Sequence, residues 1–423
     1  MTSTRSSRPG SSTPRPRVPS SGPSSPPQSL VPVRRLFTAE NRNYFLLLST
    51  TLFLVFFGLV MVLSASFVEA NSAGENAFGV FMRQALYGVV GIPLMLIASR
   101  MPPTFWKRWA WPALVVGGAL QLLVFTPLGI EVGGNRNWIG VEGSFSLQPS
   151  EFVKLALIVW IAWVLASKQQ LLEDWKHVAI PIAPIGGGAI GLVLLGGDLG
   201  TATVMLIIVM GCLFVGGVKL RFLTVAMIGI ALAGAVLAMA TPSRVSRIQV
   251  WMNGCGAEDY AGYCWQVVHG TWALASGGLL GVGLGNSKAK WNWLPAADND
   301  FIFAIIGEEL GLIGAVVVLV LFIVLAIAFV RIIRATRDNF ARIVTAGIMV
   351  WVIGQAFVNI AVVLGLLPVL GVPLPLISAG GSSLIAMLIA IGVVLSFARH
   401  DGKEASEDDR DLGRTRFTEW KRR

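Results

Sequence analysis

Apolar stretches of about 20 residues recur along this chain, and no other feature restricts its fold so strongly. They begin near Tyr44, Val80, Trp109, Ser150, Val178, Gly200, Phe222, Phe301, Ile343 and Ser382. A bilayer hydrocarbon core of ~30 Å is crossed by roughly 20 helical residues. The pattern therefore predicts an all-α, polytopic membrane protein with about ten spanning helices. Composition agrees, because 54% of the residues are apolar and only 13% are charged, which excludes a water-soluble protein built on one core.

A net charge of +10 would point to nucleic acid in a soluble chain. Here the cations sit in short segments between the apolar stretches, so orientation in a membrane explains them and no nucleic-acid partner is expected. With the N-terminus in the cytoplasm, the inner loops hold Arg100, Lys107, Arg108, Lys168, Lys176, Lys219, Arg221, Arg331, Arg334, Arg337 and Arg342. The short outer loops then hold only Arg83 and Arg136, as the positive-inside rule requires. Residues 1–43 are rich in Pro and Ser, with six Arg and no acid before Glu40, and read as a disordered cytoplasmic tail. The segment is too long and too poor in apolar residues to be a signal peptide. Residues 399–423 mix charges of both signs and read as a second cytoplasmic tail around the membrane domain of residues 44–398.

One long loop, residues 242–300, separates the seventh and eighth spans and faces outward. Its apolar run Val267–Gly285 contains six Gly. A crossing there would place Arg331 to Arg342 outside, so an interfacial or re-entrant segment is expected. Cys255 and Cys264 lie in this loop, where an oxidising compartment permits a disulfide. The alternatives are two free thiols, or a metal site with His269 at a spacing that fits no standard zinc pattern.

Polar groups are costly in a membrane protein, ~2.5–3.5 kcal/mol for a centred charge on insertion scales, so their clusters locate function. The first cluster runs from Gly133 through Arg136, Asn137 and Trp138 to Gln148, Pro149, Ser150, Glu151 and Lys154. Pro149 suits a helix start, and Glu151 and Lys154 share a face. The second runs from Leu294 and Pro295 to Asp300 and Phe301, then Gly307, Glu308, Glu309, Leu310 and Gly311. In one continuous helix Gly307, Gly311 and Gly314 would share a face and pack closely on a neighbour, while Glu308 and Glu309 would need different partners. The third contains Gln355, Asn359, Pro368, Gly371 to Pro375, and Ser378 to Ser383. Gly and Ser at an outer helix start leave backbone N–H groups for an anion such as a phosphate, or else serve packing and capping.

Each charged group has a structural reading beside a chemical one. Lys154 paired with Glu308 or Glu309 would be a buried ion pair, Arg136 and Trp138 would anchor the interface, and Asp198 would cap a helix. Asp300 would be either an N-cap or a catalyst.

The three clusters, in this order and topology, closely resemble the SEDS family of cell-wall polymerases. The resemblance rests on Gln148-Pro149-Ser150-Glu151 with Lys154, on Leu294 to Phe303 running into Gly307 to Gly311, and on Pro375, Ser378 and Gly380 to Ser383. It covers about residues 44–398. Asp298 stands where the family commonly has His, Ala379 where it often has Tyr, and Asn137 where an Arg usually precedes the Trp, with Arg136 alongside to supply the cation.

The resemblance implies a peptidoglycan glycosyltransferase that makes an inverting hexosyl transfer from lipid II, a donor linked through pyrophosphate to undecaprenol. It implies a class B penicillin-binding protein as transpeptidase partner, other divisome membrane proteins, and the cytoplasmic membrane of a bacterium at the septum. The segment Lys290 to Pro295 and the basic tail resemble the division branch of the family more than its elongation branch. By the same resemblance Asp300 is the general base, or the ligand of a divalent cation, Mg²⁺ or Mn²⁺, on the pyrophosphate. Arg136 and Lys154 would take the diphosphate, with Glu151 and Glu308 or Glu309 orienting them; Trp138, Gln148, Ser150, Ser378, Ser382 and Ser383 complete the expected substrate site. A lipid II flippase is the alternative from another class, because buried polar groups among ten helices also line transport pathways.

Overall fold

The computed structural model describes residues 42–72, 78–132, 135–140, 146–239, 242–255, 260, 262, 264–291 and 293–401. Gly133, Gly134 and nearly all of both expected tails lie outside the described residues. A helix stands at each of the ten expected positions: α1 (Arg42–Ser72), α2 (Gly79–Ala98), α3 (Pro103–Leu123), α4 (Pro149–Ser167), α5 (Trp175–Leu195), α6 (Leu199–Val215), α7 (Leu220–Met239), α10 (Ile302–Ala335), α11 (Asn339–Val363) and α12 (Ser382–Asp401). Seven of these are long and apolar enough to cross a membrane by those criteria alone, and α6 and α7 are shorter apolar helices. The segment between α7 and α10 supplies α8 (Pro242–Asn253) and α9 (Trp265–Gly277). Three short strands, β1 (Gly129–Val132), β2 (Asn135–Gly140) and β3 (Ser146–Leu147), form an antiparallel sheet between α3 and α4.

Helices α4, α11 and α12 are mostly buried, whereas α2 and α5 turn most of their surface outward. The buried three form the centre: α4 packs on α3, α6 and α11, and α12 meets α2 where Gly91 and Gly392 admit Leu388 and the backbone of Met95. The outward apolar side chains, such as Val89 on α2 and Ile180 on α5, face where lipid would lie. Helix α12 continues through Asp401, which accepts a 2.7 Å bond from Thr336 at the end of α10.

The run Val267–Gly285 does not cross. Helix α9, 13 residues long, lies against α10, and the glycine-rich remainder is a loop. It serves a break in α10 that sequence periodicity did not anticipate: Gly311 has φ 69° and ψ −167°, so Gly307, Gly311 and Gly314 do not line one continuous helix face. The break frees backbone groups, and the loop takes them up. Val282 and Gly283 donate to the carbonyls of Glu308 and Glu309, and Leu312 and Ile313 donate to those of Gly278 and Leu279, at 2.9–3.3 Å. At membrane depth such groups have no water to turn to. The close approach predicted for these glycines is present at Gly307 and Gly311, where a Cβ would lie 2.4 Å from Leu274 and from Gly281 N, but not at Gly314, which meets only Leu310 of its own helix.

Cys255 and Cys264 form a disulfide with a Cα–Cα distance of 5.8 Å, linking the end of α8 to the start of α9. His269 donates from Nδ1 to Trp265 O at 2.8 Å instead of joining them, and no cluster of three or more His, Cys, Asp or Glu is placed to hold a metal among the described residues.

Candidate active site

Asp300 lies immediately before α10 and does not cap it: the N-cap position is Phe301, without a side-chain bond. Its carboxylate is half-buried, and Oδ1 has no hydrogen-bond partner. The backbone around it is fixed instead. Asn359 on α11 donates 2.7 Å bonds to the carbonyls of both Asp300 and Val372. Ser378 donates to Asn299 O at 2.6 Å and accepts from Leu374 N at 2.8 Å, and Ala379 N donates to Asp298 O. The segments 294–301 and 370–381 are thus stitched together by α11. Ala296 (φ 55°) and Leu376 (φ 65°), the two non-glycine residues with positive φ among those described, sit one in each segment, the kind of backbone strain that gathers at functional sites.

Other helix ends at the same end of the bundle close around this pair. Gln148, before α4, donates from Nε2 to Asp198 at 3.2 Å and from its backbone to Ser382 Oγ at 2.9 Å. Asp198 caps α6 through Thr201 N, as expected. Gln84 on α2 donates to Ser378 O and accepts from Gly381 N. Arg247 on α8 donates to Val369 O. Burial, with the negative charges of Asp298 and Asp198 close by, pushes the Asp300 carboxyl up to about 6, while Arg247 pulls it down.

Asn299 Oδ1 and Asn359 Oδ1 are also buried without a partner. With Asp300 Oδ1 they are unpartnered acceptor oxygens on residues that adjoin or hold the Asp300 backbone, a chemistry that suits a hydroxyl or a cation. One carboxylate, amide oxygens and phosphate oxygens brought by a substrate fit the ligand set of Mg²⁺.

Several expected groupings do not form. Lys154 is not with Glu308 or Glu309. Its Nζ is 2.8 Å from Glu151, 3.4 Å from Gln355 and 4.9 Å from the centre of the Trp351 ring, all buried. A π-helical turn at Val350–Gly354 in α11 brings Trp351 and Gln355 to it, and Gln355 reaches the site loop through Pro373 O at 2.9 Å. Glu309 pairs instead with Lys290 at 3.0 Å and accepts from Ser64 on α1; Glu308 accepts from Ser287 and from the amides of Lys288 and Ala289. The two acids do have different partners, which come from the loop before α10 and, for Glu309, also from Ser64 on α1. One carboxylate oxygen of Glu151 and Ser150 Oγ are buried without a partner.

Arg136 is exposed on β2 and donates to Thr126 O at 2.8 Å, with half-buried Trp138 beside buried Asn137. Of the amides before α12 expected to be open to an anion, Gly381 N, Ser383 N and Leu384 N are instead bonded to Gln84 and to the carbonyls of Gly380 and Gly381. Ser378 and Ser382 act as ties between loops. Sequence reasoning missed Arg247, Lys290, Ser64 and Gln84. Arg247 and Lys290 carried a signal, as cations in an outer segment where the positive-inside rule leaves few.

A profile of the cell cycle protein family of FtsW, RodA and SpoVE matches residues 44–403. The chain belongs to this family. It is 39% identical over 360 residues to the probable peptidoglycan glycosyltransferase FtsW of Mycobacterium tuberculosis, covering 85% of this chain and 68% of that protein. It is 39% identical to the stage V sporulation protein E of Bacillus subtilis, across 84% of this chain and 96% of that one. Among solved structures, a chain of a peptidoglycan synthase complex that coordinates polymerization and crosslinking superposes with TM-score 0.69 at 27% identity, covering 84% of this chain and 97% of that one. The rod shape determining protein RodA of Thermus thermophilus gives 0.63 at 27% identity, over 86% and 98%. The family match spans every helix of the membrane bundle, α1 to α12.

Proposed function

We propose that this FtsW/RodA/SpoVE-family chain is a peptidoglycan glycosyltransferase that polymerises lipid II on the outer face of the cytoplasmic membrane, in septal wall synthesis, with Asp300 as its central catalytic group. The observation that carries this reading is a carboxylate at the outer mouth of α10 whose Oδ1 is unpartnered, within a frame that fixes its backbone from α11 and the 370–381 loop. An idle cap would be bonded; this oxygen is held ready for a ligand.

The reaction follows from that position. The acceptor sugar hydroxyl attacks the anomeric carbon of the donor, the bond from that carbon to the diphosphate breaks, and the hydroxyl proton passes to the Asp300 carboxylate. The leaving diphosphate needs positive charge more than a proton, so a single carboxylate suffices where glycosidases need two. A carboxyl near 6 is still largely ionised at neutral pH and is a stronger base than an ordinary aspartate. Asn299 and Asn359, with Asp300, would hold a divalent cation if one is used; bound there, it would neutralise diphosphate charge.

A class B penicillin-binding protein is the expected partner, in line with the synthase complex that shares this fold. The test is reconstitution of the purified chain with that partner and lipid II, with and without Mg²⁺ or Mn²⁺. Glycan strands are expected, and their absence under all these conditions would contradict the proposal.

A further inference from the structure

A departing diphosphate requires a cation, and the two expected from sequence are committed elsewhere. Lys154 is buried against Glu151, and Arg136 lies on the hairpin bonded to Thr126 O. Lys290 is held by Glu309, Gly285 O and Ser64 O. Arg247 differs. It is exposed, it faces the site from α8, and its described bond is a long one of 3.4 Å to Val369 O. Val369 is two residues from Gly371, where an added Cβ would lie 3.6 Å from Asp300 Oδ2.

Helix α8 is braced to the turn that leads into the 370–381 segment and, through α9, to Phe301. Trp251 donates from its indole to Gly365 O at 3.2 Å, alongside the Arg247 bond to Val369. The disulfide ties its far end to α9, and α9 seats Gly270 against the ring of Phe301, the residue after Asp300. A guanidinium on so fixed a helix presents a planar fork of donors suited to phosphate oxygens.

We propose that Arg247 binds the diphosphate of the lipid-linked donor, placing the leaving group on the α8 side of Asp300. This rests on the glycosyltransferase reading above. Its charge also acts on Asp300, which links leaving-group binding to the ionisation of the base.

The test uses the full chain with its transpeptidase partner, lipid II as substrate and undecaprenyl pyrophosphate as a non-reacting probe. Arg247→Gln should raise KM for lipid II and weaken probe binding by about 10- to 100-fold, the range of a charge-assisted contact, with Arg247→Lys in between. Lys288→Gln removes another exposed cation of the segment before α10 and should leave probe binding near wild type. Unchanged probe binding in Arg247→Gln, or an equal loss in Lys288→Gln, would overturn the assignment. If the wild type made no glycan while Arg247→Gln still lost the probe, the glycosyltransferase reading would fall and the anion site would stand.

Discussion

Asp300 and Lys154 show what single residues disclose. Both are charged groups at costly positions, yet Lys154 is fully engaged by Glu151, Gln355 and Trp351, while Asp300 keeps an unbonded oxygen. Removing Lys154 leaves Glu151 uncompensated in the core. Lys154→Met should therefore lose about 3–5 kcal/mol of stability, with Glu151→Gln in the same chain restoring most of it; thermal unfolding in detergent checks this, and an unchanged melting temperature would contradict it. For Asp300 the sign follows from burial. The folded carboxyl titrates near 6, above its ordinary value of 3.8, so it is protonated and unable to accept a proton below that pH. Polymerisation should rise with pH through about 6; Asp298→Asn should move that limb down and Arg247→Gln should move it up. A profile flat from roughly pH 5 to 7 would count against ionised Asp300 as the working form. The sequence marked both residues as costly but could not distinguish them, because partners distant in the chain, such as Gln355 for Lys154, are chosen by tertiary packing.

At the scale of elements, the apolar stretches placed a helix at each of the ten expected positions, seven of them long and apolar enough to cross a membrane. They missed the break in α10. Gly307, Gly311 and Gly314 fit a helix face by spacing, and nothing in that spacing distinguishes a packing glycine from one needed for φ 69°. The counterpart was visible only as six glycines in a loop too irregular to span. Their role is to bring the backbone of residues 278–283 against residues 308–313. Gly311→Ala places a Cβ 2.4 Å from Gly281 N at a glycine-only backbone angle, which should cost at least ~1–3 kcal/mol from strain alone. Gly229→Ala in α7, where nothing lies within 4 Å, is the matched control and should be neutral or mildly stabilising. Equal melting temperatures for the two variants would refute the break.

At the scale of the molecule, the arrangement converges on one end of the bundle. Ends of α2, α4, α6, α10, α11 and α12 meet around Asp300, with α8 joined to them through Arg247. The order of the three polar clusters disclosed that convergence from sequence, because alternating helix direction brings every second loop to the same side. What it could not disclose was the sorting within them. Glu308 and Glu309 belong to a separate network with Ser287, Lys290 and Ser64, and Ser378 and Ser382 stitch loops together. These assignments depend on which loop crosses which, and short polar residues satisfy many such crossings equally well. The central claim is that Asp300 performs the chemistry of glycan polymerisation, and the most direct test compares purified wild type and Asp300→Asn with lipid II and the partner. The account predicts glycan strands from the wild type and a loss of at least ~100-fold in the variant with an unchanged melting temperature. Polymerisation by Asp300→Asn at the wild-type rate would contradict it.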